Sequence, residues 1–146
     1  KVIIMTDADV DGAHIASLLM TFFFKEMPGL IKQGHLYLGV PPLYRITQGA
    51  KTHYALDTKQ RDKIVKKLQD QSKKKIELGR FKGLGEMTPP QLKETTMDPA
   101  KRMLYKVAIA DAEDLEQATN RVEELMGKKP ELRLRFIQQQ ALQSNL

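Results

Sequence analysis

A β-branched run that ends in alternating aspartates constrains the fold of this chain more than any other feature. Lys1-Val-Ile-Ile-Met5 has no polar alternation, the pattern of a strand buried on both faces of a parallel sheet. Asp7, Asp9 and Asp11 follow at alternate positions, and Gly12 is read as breaking the extended stretch. From His14 to Lys25, Ile15, Leu18, Leu19, Phe22 and Phe23 recur at helical spacing until Pro28-Gly29 intervenes. Leu36 to Val40 reads as a second strand ended by Pro41-Pro42, which predicts a right-handed βαβ crossover. The fold class expected is α/β around a parallel sheet core, with the acidic loop at the carboxyl end of its first strand, where open α/β sheets bind ligands.

The remainder of the chain predicts a hairpin and helices. Leu43 to Thr47 and Thr52 to Leu56 flank Gly49 as an antiparallel hairpin. Thr58 to Gln71 is expected to be helical with a narrow stripe of Ile64, Val65 and Leu68, followed by Lys73-Lys74-Lys75 as a solvated turn or a phosphate contact. Ile76 to Phe81 suits a strand leading into the glycine-rich Lys82-Gly-Leu-Gly-Glu86. Thr88-Pro-Pro-Gln91 has the form of a capped helix start, and Asp98-Pro99 repeats that signal. Leu104 to Ile109 reads as a strand, Ala112 to Met126 as a helix closed by Gly127, and Glu131 to Gln143 as a further helix.

Charge and composition narrow the function classes. The formal net charge of +6 favours a polyanionic partner, because lysines and arginines that neutralise phosphates release condensed counterions. Without cysteine there are no disulfides, thiolate zinc sites or thiol nucleophiles, which fits a reducing cytoplasm. The longest apolar stretch, Ile15 to Phe24, is too short to span a bilayer, so no membrane partner is expected. The start at Lys1, without methionine and directly in an apolar run, reads as that of a fragment rather than a signal peptide.

The three aspartates carry the chemistry. On an extended backbone their side chains point to the same side and repel, and burying part of such a cluster costs roughly several kcal/mol per uncompensated charge. A hard divalent cation is the natural counter-ion, and magnesium suits one or two carboxylates plus waters and phosphate. Competing readings are capping and turn aspartates, an EF-hand loop and a haloacid-dehalogenase-like phosphatase. The EF-hand reading fails at its twelfth position, which is Leu18 rather than a bidentate glutamate. In the phosphatase reading Asp111 and Asp114 would imitate the later acidic motif, but the hydroxyl and lysine between lack their strand-end contexts.

Four separated segments agree with one family. Met5-Thr-Asp-Ala-Asp-Val-Asp-Gly-Ala-His-Ile15, Pro41-Pro-Leu-Tyr-Arg45, Arg80-Phe-Lys-Gly-Leu-Gly-Glu-Met87 and Glu94-Thr-Thr-Met-Asp-Pro99 resemble, in order and spacing, the B subunits of bacterial type IIA DNA topoisomerases, gyrase and topoisomerase IV. The resemblance runs over nearly the whole chain and thins between residues 57 and 76. The compact region from Pro41 to Arg80 and the ending Lys128-Lys-Pro-Glu-Leu-Arg133 look closer to topoisomerase IV than to gyrase.

That resemblance implies a Rossmann-like TOPRIM fold, with residues 1–47 as the carboxy-terminal part of the metal-binding domain, residues 48–146 as the region packed on it, and a helical tail over 111–146. It implies that Asp7 and Asp9 are catalytic magnesium ligands, with Asp11 a third, less direct metal-site acid, and that the family's upstream glutamate precedes this chain. His14, beside the acidic loop at the presumed helix start, is a candidate DNA contact through its imidazole and free backbone donors, against the reading of a satisfied histidine near a cap. In Arg80 to Glu86 the glycines permit close backbone approach and Lys82 supplies a point charge to DNA, joined by Arg80; Arg135 is the further DNA candidate. The loop does not match a Walker motif, so ATP belongs to a separate domain.

The implied partners are double-stranded DNA and an A subunit that carries the nucleophilic tyrosine, in an A2B2 heterotetramer of the bacterial cytoplasm and nucleoid. The implied reaction is ATP-dependent double-strand cleavage, passage and religation, giving decatenation, relaxation or supercoiling, and the fragment alone is expected to be inactive. A noncatalytic DNA-binding or docking module is the alternative. Tyr37, Tyr44, Tyr54 and Tyr105 are expected to pack rather than to act as nucleophiles, and the methionines to fill the core.

Overall fold

The computed structural model describes residues 1–143, which fall into two compact units, one of residues 1–16 and 36–106, the other of residues 17–35 and 107–143. The first unit contains every strand. In its first sheet β1 (Val2–Ile4) pairs parallel with β2 (Leu36–Gly39), Ile3 opposite Tyr37. The crossover between them runs through α1 (Val10–Glu26) and α2 (Pro28–Lys32). Parallel pairing of β1 and β2 is as the buried runs predict. The parallel core goes no further, however, because β6 (Leu104–Lys106) joins β2 antiparallel and the order is β1-β2-β6. Since β1 is an edge of this sheet, only Ile4 of its residues is buried, not both faces of the whole run.

The second sheet is antiparallel throughout, ordered β4-β3-β5, from β3 (Tyr44–Gln48), β4 (Lys51–Ala55) and β5 (Ile76–Arg80). Gly49 turns the β3–β4 hairpin at φ +62°, a left-handed conformation that a side chain would strain. Helix α3 (Thr58–Gln71) covers this sheet: Leu68 with Ile46 and Ala55 makes the buried cluster, and Ile64, Val65, Tyr44 and Ile76 pack around it. Asp57 caps α3 by accepting the Gln60 N–H at 2.7 Å. At the other end the Gln48 side-chain amide donates to the carbonyls of Lys74 at 2.9 Å, Ser72 at 3.3 Å and Leu68 at 3.5 Å, tying the end of the helix to the hairpin. Lys73, Lys74 and Lys75 are exposed.

Beyond β5, Thr88 starts α4 (Pro89–Leu92) as its sequence predicts, its N–H donating to Gln91 Oε1 at 3.0 Å. The helix widens into a π turn over Lys93–Met97, where Thr96 is buried and donates to the Leu92 carbonyl. Asp98-Pro99 does not start a helix. Asp98 instead holds a turn, its carboxylate accepting the Ala100 N–H at 2.9 Å and its carbonyl the N–H groups of Lys101 and Arg102. The strand expected over Leu104 to Ile109 stops at Lys106, the last residue with a partner on β2. Tyr105 is 59% exposed rather than packed, while Tyr54 is half-buried.

In the second unit α5 (Ala112–Met126) and α6 (Pro130–Gln143) match their predicted spans. Asp111 caps α5 by accepting the Asp114 N–H at 2.9 Å, and Asp114 accepts the Ala110 N–H at 3.2 Å, so this acidic pair serves a helix terminus rather than a phosphatase motif. Gly127 ends the helix at φ −71°, an ordinary conformation; its missing Cβ leaves room for the Glu123 carbonyl. Arg133 donates to the Gly127 carbonyl at 3.3 Å, and Arg121 lies 4.5 Å from the Phe136 ring centroid, which joins α6 to α5. Among the described residues no helix is long and apolar enough to cross a membrane.

Candidate metal centre

Asp7 lies three residues beyond the end of β1, and α1 begins three residues after it. The helix begins at Val10, so the extended alternation expected through Asp11 does not form, and Asp11 lies in the first helical turn. Asp9 sits at the cap: its Oδ1 accepts the Gly12 N–H at 2.7 Å and its carbonyl accepts the Ala13 N–H at 3.0 Å. The capping reading therefore holds for Asp9, alongside whatever else its carboxylate does. Gly12 does not break structure. It is the buried residue of α1, and a Cβ there would collide with the backbone carbonyl of Asp7. The glycine lets the first turn of the helix press against the backbone of Asp7.

The glycine-rich loop meets the same acid from the other side. Leu84 donates its N–H to Asp7 Oδ1 at 2.7 Å, a bond between residues 77 apart in sequence. Gly83 lies against the whole carboxylate, since a Cβ built there would stand 2.7 Å from Asp7 Cγ and 2.8 Å from each oxygen. The loop is closed on itself by Glu86, which accepts the Lys82 N–H at 2.8 Å, and by a 3-10 turn over Leu84–Glu86. The close approach anticipated for these glycines is thus made by Gly83, and towards Asp7. The sequence pattern singles out Lys82 and the glycines of this loop but not the Leu84 N–H or the closing bond of Glu86, of which the i, i+4 spacing of Lys82 and Glu86 is a local sign.

Asp7, Asp9 and Asp11 line one open cleft of about 400 Å³, with Gly12 and Leu84 at its walls. All three are exposed. Asp7 and Asp9 share a pattern: each has Oδ1 fixed by a backbone N–H, while Oδ2 takes no hydrogen bond among the described residues. Such hard, oriented oxygen donors fit magnesium, which takes few protein carboxylates and keeps waters. Among the described residues no three acidic or histidine side chains converge closely enough to hold an ion by themselves.

His14 is exposed and lies one turn inside α1, so its imidazole is available but its backbone N–H belongs to the helix rather than to a free terminus. Arg80, at the end of β5 opposite Tyr44, and Lys82 in the loop are both exposed in the same compact unit as the acids. Arg135 is exposed on α6 in the other unit. Burial, then the charge of Glu94, raises the Tyr54 phenol above its usual range.

The Toprim domain family matches residues 1–39, and the family described as DNA gyrase B subunit, carboxyl terminus, matches residues 73–138. The chain is 63% identical over 142 residues to the B subunit of DNA topoisomerase 4 from Rickettsia conorii, covering 97% of this chain and 21% of that protein. It is 59% identical over 145 residues to the protein of the same name from Bartonella bacilliformis, covering 99% of this chain and 21% of that protein. To the B subunit of DNA gyrase from Metamycoplasma hominis it is 50% identical over 147 residues, covering 99% of this chain and 22% of that protein. The chain thus spans about a fifth of the length of the curated relatives it matches. With a Toprim acidic loop at the end of β1 and the gyrase B carboxyl-terminal region after α3, the chain belongs to the B-subunit family of bacterial type IIA DNA topoisomerases.

Proposed function

We propose that the cleft below α1 is the magnesium site of an ATP-dependent type II DNA topoisomerase, with Asp7 and Asp9 as its ligands and Asp11 as a supporting acid. The observation that carries the reading is that both carboxylates have one oxygen anchored by a backbone N–H and the other unbonded, within one cleft at the carboxyl end of β1. Magnesium bound there would neutralise charge on a scissile phosphate and on the leaving 3′ oxygen. The chain's own residues hold and orient: Asp7 and Asp9 supply oxygens, and His14, Arg80 and Lys82 contact DNA phosphates, with Arg135 a further contact from α6. These cations position the duplex without reading its sequence.

The whole enzyme in this reading pairs two B subunits with two A subunits that carry the attacking tyrosine, and hydrolyses ATP in a domain other than this one, on the chromosome in the bacterial cytoplasm. Residues 1–47 belong to its metal-binding domain and residues 48–146 to the region beside it, with the helical tail from 111. Higher identity to relatives named topoisomerase 4 than to the gyrase relative favours decatenation over supercoiling. Reconstitution of the full-length protein with its A subunit tests both points. ATP-dependent decatenation should exceed negative supercoiling, and D7A should abolish magnesium-dependent cleavage; cleavage by D7A at the wild-type rate removes the metal assignment.

A further inference from the structure

We infer that Gly83 and Leu84 are positioning residues for Asp7, holding its carboxylate in the orientation that meets the metal. This rests on the metal-binding reading of Asp7 above. Two observations carry it, one of space and one of direction. Gly83 has φ −159° and ψ 175°, an extended conformation open to any residue, so its backbone has no need of glycine. What requires glycine is room: a Cβ would stand within 2.8 Å of all three carboxylate atoms of Asp7. The obstructed group is the end of a short side chain rather than backbone, so a methyl at residue 83 displaces the carboxylate and leaves the fold intact. The neighbouring Gly85 has nothing within 4 Å of an added Cβ, so clearance in this loop is specific to the atom facing Asp7.

Direction comes from Leu84. Its N–H donates to Oδ1 at 2.7 Å, a charge-assisted bond in the short range, and it leaves Oδ2 as the oxygen without a partner among the described residues. Carboxylates that ligate metals are themselves commonly oriented by such bonds, and losing one typically costs about 10–100-fold in affinity. A residue 77 positions from the acid thereby sets which of its two oxygens is offered to the ion.

Two substitutions act on the two residues in turn, and the second also sets a ring carbon where the N–H met Asp7 Oδ1. Gly83→Ala fills the space. Leu84→Pro removes the N–H, in a backbone suited to it, because residue 83 is extended as the residue before proline prefers and residue 84 opens a helical turn where proline is tolerated. In the full-length protein, Mn²⁺ binding followed by electron paramagnetic resonance should weaken about 10-fold or more in both variants, with metal-free melting temperatures unchanged. Gly85→Ala should bind as wild type, and Asp7→Ala should lose the ion. If Asp7→Ala loses Mn²⁺ while Gly83→Ala and Leu84→Pro bind it normally, the positioning role is overturned. If Asp7→Ala itself binds Mn²⁺ as wild type, the metal reading fails instead. Weakening in all variants including Gly85→Ala would mark a general effect of loop disruption and would equally reject the specific role.

Discussion

Asp9 Oδ1 accepts the Gly12 N–H at 2.7 Å, so one proposed metal ligand also caps the helix that follows it. The two roles separate by substitution, because asparagine caps as well as aspartate but lacks its charge. Asp9→Ala should lower stability by about 1 kcal/mol, outweighing the relief of carboxylate repulsion, whereas Asp9→Asn should stay within a few tenths. Both should lose magnesium-dependent cleavage. Urea denaturation beside a cleavage assay makes the comparison, and equal stability of Asp9→Ala and Asp9→Asn would show that the cap contributes nothing.

Gly12 and Gly83 both face Asp7, but against different atoms. A methyl at residue 12 meets the Asp7 backbone, which cannot rotate away, so Gly12→Ala should destabilise by roughly 1–3 kcal/mol. At Gly83→Ala the three nearest atoms are all of the Asp7 carboxylate, which can rotate away, so the melting temperature should stay close to wild type. Thermal denaturation of both variants checks the contrast.

The core under α3 should behave as a close-packed helix-on-sheet contact. Ile46 is fully buried between the hairpin and Leu68, and Ile46→Ala should cost about 2–5 kcal/mol. Gln48→Ala should cost less, roughly 1–3 kcal/mol, by leaving carbonyls at the end of α3 without their donor. Denaturant midpoints at constant slope give both values.

Lys82→Ala should weaken DNA binding alike for all sequences and flatten the salt dependence by about one phosphate contact. The side chain is exposed and has no hydrogen bond or ion pair among the described residues, the bond to Glu86 coming from the backbone N–H, so the fold should be unaffected. An unchanged salt slope would return Lys82 to the solvated surface.

On α6, Leu134 and Ile137 are each 56% exposed, whereas Leu132 and Phe136 are half-buried. Changing the exposed pair to lysine should alter stability by less than about 0.5 kcal/mol each. If this face docks the A subunit, co-sedimentation with it should weaken while Mn²⁺ affinity is retained. Deleting residues 128–146 should do the same but also removes the Arg133 bond to Gly127 and the Arg121–Phe136 contact, so the point changes are the sharper test. Normal assembly of the double variant would leave the apolar face without a docking role.

Elements governed by short-range chemistry were legible in the chain itself. The stripe of Ile64, Val65 and Leu68, the cap at Asp57, the Thr88–Gln91 box and the turn at Gly49 depend on neighbours within a few residues, and helix, hairpin and strand spans followed from them. The acidic loop was legible for the same reason, since alternating carboxylates after an apolar strand carry their own electrostatic cost. Tertiary structure decided what those residues face. The antiparallel pairing of β6 with β2 sets Leu104 opposite Gly39, far apart along the chain, through contacts that no local pattern encodes. Gly12 and Gly83 carry no local sign that both make room for Asp7, because a missing Cβ has meaning only once another part of the chain arrives to occupy its space. For that reason the sequence alone could determine the acids as a candidate metal site, while only the fold could show which backbone N–H and which empty volume hold Asp7 in place.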